Sequence, residues 1–414
     1  MNKRNRHLYV VREDKKVDRP ADAKAPISKK IKMIFRKMKT WLVTNWKNRR
    51  SRVVALGMAV IGLIALVLVV NLKTYTGVHT TDTIKVSGAA DNSYAEFADG
   101  VLKYSRDGIV YLNLEGEEQW NLPYQIKTPL IDTNDVSAAV ADKGGNDIMV
   151  FQEDGLKGEI QTTLPIEKIS VSEQGIVCAI LKNESTPQII CYDTAGNILV
   201  EHKSSFSGMG YPMDVALSAD GEVLQILYFY VEGGQMNSKV VYYNFGKAGE
   251  EKTDHQVTEK EYAGCIMASG FFMNKSISVA VGDNCFTIFK GDKTPKEVVT
   301  VELEKEIKSI FHNEKYIGVV LKNEGKAGYE VHLYNTAGKS VMSEEFSGDY
   351  KNVKISDNQV IMYDGKQCSI FMKNGIHKFE GEMSNNILEI FPVSGVNKYI
   401  VINANGLERV RLSN

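Results

Sequence analysis

The residues able to do chemistry are scattered through this chain rather than gathered. Beyond residue 72 the histidines are His79, His202, His255, His312, His332 and His377, at no spacing that would bring ligands to one metal ion. There is no GxSxG elbow, HExxH helix, P-loop or Ser-x-x-Lys element. Ser356-Asp357-Asn358 spells one element of the penicillin-binding signature without its partner motifs, so it reads as a turn between strands. The arginines past residue 52 are Arg106, Arg409 and Arg411, two of them two residues apart, so three separate elements cannot supply an Arg clamp for carboxylate or phosphate. The five cysteines, Cys178, Cys191, Cys265, Cys285 and Cys368, form no CxxC, and their odd number signals neither a disulfide framework nor a zinc knuckle. If residues 181 and 188 flank a hairpin loop, Cys178 and Cys191 face each other across two strands; buried free thiols are the alternative. The expectation is a protein that is not an enzyme and holds no cofactor or metal.

One segment carries recognition chemistry instead. Ser204-Ser-Phe206-Ser-Gly-Met209-Gly-Tyr211-Pro212 is a small-residue loop, and a long aromatic hairpin follows it around Gly233-Gly234. Phe206, Met209, Tyr211, Tyr230 and Met236 would share one face if the loop joins two blades and the hairpin belongs to the second. Such a patch suits a protein or glycan partner; the alternative is that these aromatics pack between blades.

The elements that must position them follow from a rhythm. Past residue 92 no helical periodicity appears, and short apolar runs alternate with Gly, Asn and Asp turns, as in an all-β domain. One phrase recurs: Tyr111-Leu-Asn-Leu-Glu-Gly116, Cys191-Tyr-Asp-Thr-Ala-Gly196, Leu333-Tyr-Asn-Thr-Ala-Gly338 and Phe371-Met-Lys-Asn-Gly375, with looser copies near Val150, Val241 and Phe286. A period of about forty residues built from short strands means a β-propeller with one four-stranded blade per repeat. Inner-strand candidates are Ile166–Val171, Met213–Leu217, Ile307–Phe311 and Val353–Ile355. The C-terminal stretch supplies three strands, and Thr83–Val86 is the candidate fourth, closing the ring from the other end of the chain. This count gives eight blades over residues 92–414, with seven as the alternative.

The copy Asn113-Leu-Glu-Gly116-Glu-Glu-Gln-Trp120 resembles the repeat of quinoprotein-type (PQQ-like, WD40-like) propellers, in which a Trp four residues past the Gly docks one blade on the next. The equivalent positions here are Val200, Met342 and Phe379, apolar but not Trp. The family includes quinone-dependent dehydrogenases and non-catalytic envelope scaffolds. The missing tryptophans, and the shortage of arginines for a carboxylate-rich quinone, place this chain nearer the scaffolds. The whole layout also resembles an uncharacterised group of Gram-positive membrane-anchored propeller proteins.

That layout begins with the uncharged run 53–72, long enough to cross a bilayer as one helix. Lys47, Arg49, Arg50 and Arg52 crowd its N-terminal side and no acidic residue occurs between Asp22 and Asp82, which predicts a cytoplasmic N-terminus and an extracytoplasmic remainder. Residues 1–52 hold 18 Lys and Arg against 4 Asp and Glu, whereas the remainder is acidic and unsuited to nucleic acid. Residues 73–91 read as a short stalk. Between residues 26 and 47 a helix would gather Ile27, Ile31, Ile34, Phe35 and Met38 on one face. Lys29, Lys30, Lys32, Arg36, Lys37 and Lys39 would line the other face, with Trp41 and Trp46 near the membrane. Such a helix lies in the headgroup plane of an anionic inner leaflet; a solvated juxtamembrane segment whose charges only set topology is the alternative. The expected role is a membrane-anchored scaffold or sensor with an envelope protein partner; a module binding cell-wall glycan or a small ligand is the alternative, and a propeller enzyme the third reading. A peptide of residues 26–50 is expected to bind anionic vesicles with an affinity that falls steeply with salt; salt-independent binding in a vesicle co-sedimentation assay would contradict the electrostatic part of this reading.

Overall fold

The computed structural model describes residues 53, 57–62, 73–85, 92–183, 187–203, 209–323, 328–395 and 397–414. The expected amphipathic helix over 26–47, with its lysines, Arg36, Trp41 and Trp46, lies outside them. Of the expected span 53–72, Val53 and residues 57–62 are described and are helical; among the described residues no helix is long and apolar enough to cross a membrane.

Residues 71–414 form one compact unit of eight four-stranded antiparallel sheets, so the eight-bladed count holds and the seven-bladed one does not. Numbered along the chain, blades 1 to 7 span residues 93–123, 129–161, 166–203, 211–263, 269–302, 307–346 and 352–382. Blade 8 takes three strands from residues 389–413 and its outermost strand from Gly77–Ile84. That closing strand starts earlier than the Thr83–Val86 expectation, because the turn before Gly406 sets Leu407 opposite Ile84 and the pairing then runs back to Gly77 opposite Ser413. Part of the expected stalk is therefore a strand of the ring.

The recurring phrase is the turn between the third and outer strands of a blade. Asn113, Asp193 and Asn335 each accept two backbone N–H groups with one side-chain oxygen, folding the chain back within four residues. Gly116, Gly196 and Gly338 follow at φ of +83°, +81° and +73°, where a Cβ would be strained. Second strands such as Val177–Leu181 and Ile277–Val281 are buried at every position because neighbouring blades cover both faces. Exposure rises outward, as in Glu118–Pro123.

The apolar core is divided into eight clusters, one in each seam between adjacent blades, including the seam between blade 8 and blade 1. Trp120 lies in the first seam, stacked on Phe151 at 5.2 Å while its indole N–H donates to the Glu153 carbonyl at 2.9 Å. Val200, Met342 and Phe379 occupy the corresponding place in other seams, so a smaller apolar side chain does the docking there. A chain starting at residue 86 loses the closing strand and exposes the edge of Gly406–Ser413. It is expected to aggregate and to unfold without a single cooperative transition, whereas a chain starting at 71 unfolds cooperatively; matching urea melts for the two would refute the role given to closure.

Candidate functional site

Two regions bring functional groups together. The first is the face carrying the connections between blades and the hairpin loops between second and third strands. In blade 4 those strands, Val223–Glu232 and Gln235–Asn244, are ten residues each, the longest of the described strands. The inner strand stops pairing at Phe229, so the first arm runs about three residues past it, ~10 Å, while the outer strand follows the second arm as far as Asn237. Gly233 and Gly234, at φ of +61° and +81°, form the tight turn whose twist suits a two-residue hairpin. Val231 and Met236 face each other across the tip and are 60% and 52% exposed. Below them Lys239 lies over the Tyr230 ring at 5.3 Å and sits 3.3 Å from both Glu259 and Glu261.

Of the residues expected in a patch here, Phe206 lies outside the described residues. Met209 packs partly into the seam between blades 3 and 4. Tyr211 is half-buried and donates its hydroxyl hydrogen to Glu167 Oε2 at 2.6 Å; burial, with Glu167 adding, pushes its pKa up to about 12. Gly210 beside it, at φ +97°, leaves no room for a Cβ, which would stand 2.5 Å from the Phe229 carbonyl oxygen and 3.1 Å from Tyr230 Cβ. Residues 209–211 thus lie directly against the base of the hairpin. Val231 was not foreseen; its place opposite Met236 in a two-glycine hairpin was the available signal.

The second region is a channel of about 1050 Å³ lined by inner strands and the turns that follow them. Its lining carries eight carboxylates, among them Glu96, Asp132, Asp214 and Asp220, against two lysines, Lys275 and Lys315. Inner strands of neighbouring blades do not pair, so their edge N–H groups need partners. Asp132 accepts the Val171 N–H at 2.7 Å, Ser170 Oγ accepts Leu217 N–H at 3.0 Å, and Asp214 accepts Gly270 N–H at 2.9 Å, which ties blades 2, 3, 4 and 5 in sequence. On the turns, Asn134 donates to the Val171 carbonyl, and Asn313 to that of Asp357. Ser356-Asp357-Asn358 is indeed such a turn, with Asp357 at φ +54°.

The cost of placing carboxylates there shows in their protonation. Burial pushes Asp132 up to about 6, the Val171 N–H opposing the rise and the Asp214 carboxylate adding to it. Burial also raises Asp214, against the pull of Lys168, whose ammonium is 3.6 Å away. His312 stacks on Phe271 with centroids 3.7 Å apart, and burial lowers its pKa to about 4, leaving a neutral ring at pH 7. Among the described residues no group of three or more His, Cys, Asp or Glu is placed to hold a metal ion. The channel can attract cationic groups and hold a proton at Asp132. The roles of Asp132 and Asp214 were not foreseen, although an Asp inside the apolar stretches Leu130–Thr133 and Met213–Leu217 marked both positions.

Because folding raises the pKa of Asp132 above the ordinary carboxylate value of ~3.9, the stability it contributes is complete below about pH 4 and is lost as pH rises through about 6. Asp132→Asn keeps an acceptor for Val171 and removes the titration. Between pH 4 and 7 the variant is expected to gain roughly 1–3 kcal/mol relative to the parent in urea unfolding; parallel pH profiles would show that Asp132 does not titrate in this range.

A search of curated proteins finds no match. Among solved structures the chain is similar to AztD from Citrobacter koseri, at 9% identity over 73% of this chain and 89% of that one, with a TM-score of 0.50. It is also similar to BamB from Moraxella catarrhalis, at 13% identity over 81% of this chain and 100% of that one (TM-score 0.49), and to Sqt1 from Saccharomyces cerevisiae, at 12% identity over 82% and 100% (TM-score 0.45). At such identity the likeness to AztD is one of fold. Residues 71–412 match the model described as "Family of unknown function (DUF5711)", and the chain belongs to that family.

Proposed function

We propose that this protein is a non-catalytic scaffold or sensor of the cell envelope, held by one membrane span at residues 53–72 with its propeller outside and its basic tail against the anionic inner leaflet. It acts by protein–protein contact through the face that carries the blade 4 hairpin. The observation that carries this reading is the overhanging pair Val231 and Met236, exposed and apolar, above a charged and aromatic collar of Tyr230, Lys239, Glu259 and Glu261. An apolar centre with a polar rim is how stable contacts between proteins are organised. The anchoring is supported by the uncharged run and the lysines and arginines before it, and by the exposure of Val53, Val60 and Ile61. The non-catalytic reading draws support from the channel, where Asp132 and Asp214 are engaged with main-chain N–H groups of the next blade.

A second reading, a small-ligand or glycan module using the channel, is favoured by its volume and by the ring face of the Phe271–His312 stack. Photo-crosslinking in the native membrane separates the two. A photoreactive residue at Met236 is expected to give one discrete protein adduct, and one at Asn374, on a turn of the opposite face, none. Silence at both positions would move the function to the channel.

A further inference from the structure

Two cysteines that the sequence separates by twenty positions meet at the foot of the blade 4 hairpin. Cys265 lies on the connection from blade 4 to blade 5, and Cys285 opens the third strand of blade 5, Cys285–Lys290. Their sulfurs are 3.5 Å apart, and the Cys265 S–H donates to Asp283 Oδ1 at 3.2 Å. Gly282 makes room for the pair: a Cβ there would stand 2.7 Å from Cys265 Sγ, 3.2 Å from Cys285 Sγ and 3.2 Å from Met267 Sδ. Cys265 is half-buried and reachable from solvent, whereas Cys285 is 6% exposed.

We propose that Cys265 and Cys285 are a disulfide site, which locks the connection between blades 4 and 5 against the hairpin bearing Val231 and Met236. The sulfurs have about 1.5 Å to close from 3.5 Å to the ~2.05 Å of a disulfide bond. The connection already lies on the hairpin: Gly264 N–H donates to the Met236 carbonyl at 3.1 Å and Met267 N–H to Ser238 Oγ at 2.9 Å. The bond would therefore fix the arm of the same hairpin that runs from Met236 to Ser238.

The oxidant is a low-molecular-weight disulfide or a dithiol–disulfide oxidase. Cys265, the accessible thiol, loses its proton and attacks one sulfur of the oxidant's S–S bond; that bond breaks and one oxidant thiol leaves with a proton. Cys285, losing its own proton, then attacks Cys265 Sγ, forming the Cys265–Cys285 bond and expelling the second oxidant thiol. Two electrons and two protons pass to the oxidant. Burial, with Asp283 close by, raises both thiols, Cys265 well above the usual range and Cys285 against the pull of its Cys265 hydrogen bond, so oxidation is slow and the resulting bond resists reduction, as in a structural rather than a switching disulfide. The other candidate pair behaves differently. Cys178 and Cys191 do face each other in register, but both are sealed in the seam between blades 3 and 4, where an oxidant has no access.

The site is independent of where the propeller resides, since the oxidant is supplied in the test. The full-length reduced protein is incubated with oxidised glutathione, then denatured, alkylated and weighed. Two of its five thiols are expected to escape alkylation, and the linked peptides to contain residues 265 and 285. Cys265→Ser and Cys285→Ser should each abolish the link, leaving at most a glutathione adduct on the surviving partner, while Cys178→Ser retains it. Five alkylated thiols in the parent, or a link mapped to Cys178 and Cys191, would overturn the proposal.

Discussion

The whole structure rests on one strand pairing, Gly77–Ile84 against Gly406–Ser413. A row of blades has two open faces; a closed ring has none, and here each of the eight apolar clusters is shared by two neighbours. The closing segment is stitched beyond blade 8 as well. Tyr75 N–H donates to the Lys378 carbonyl and the Tyr75 carbonyl accepts from Glu380 N–H, so the entering chain grips the outer strand of blade 7. On the channel side Lys354 of blade 7 meets Glu96 of blade 1 at 2.7 Å and Glu389 of blade 8 at 2.6 Å, with its ammonium 4.0 Å from the Phe391 ring centre. Outer strand and inner charge thus span the same joint.

Inside the ring, polar groups do architectural work that apolar groups cannot. Side chains in the seams press blades together without fixing their height. The carboxylates and hydroxyl that accept N–H groups from the next inner strand set that height, since each bond has a direction and a length. Hydrogen bonds to ionised groups are the stronger kind, but burial works against the ionised form, and the raised pKa of Asp132 records that opposition. Two of the channel's carboxylates, Asp132 and Asp214, serve its walls as acceptors.

Much of this was legible in the sequence. The turn phrase shows because its chemistry is local: Asn or Asp, then Gly, within four residues, with strands on either side. Inner strands such as Ile166–Val171 show because their apolar runs are bounded by turns. Cys178 opposite Cys191 follows from hairpin register alone. What was not legible depends on neighbours distant in sequence. Asp132 looks like a solvated strand residue until Val171 is placed beside it, and Cys265 finds Cys285 only because a connection bends over the start of a strand. Met209 reads as a loop tip yet tucks into a seam, since Gly210 lets the backbone turn inward.

The closing pair also sets a schedule for making the protein. Thr81 donates its hydroxyl hydrogen to the Arg409 carbonyl across 328 residues of chain, so the first of the thirty-two described strands must wait for the last of them. At ~5–20 residues per second that wait is roughly 15–65 seconds. Throughout it, Gly77–Ile84 is an unpaired edge beside a growing row of blades. Its residues, Gly-Val-His-Thr-Thr-Asp-Thr-Ile, are mostly polar, with Asp82 among them. A strand of that composition is a poor template for a second chain, and its place stays open for its one partner until Gly406–Ser413 is made.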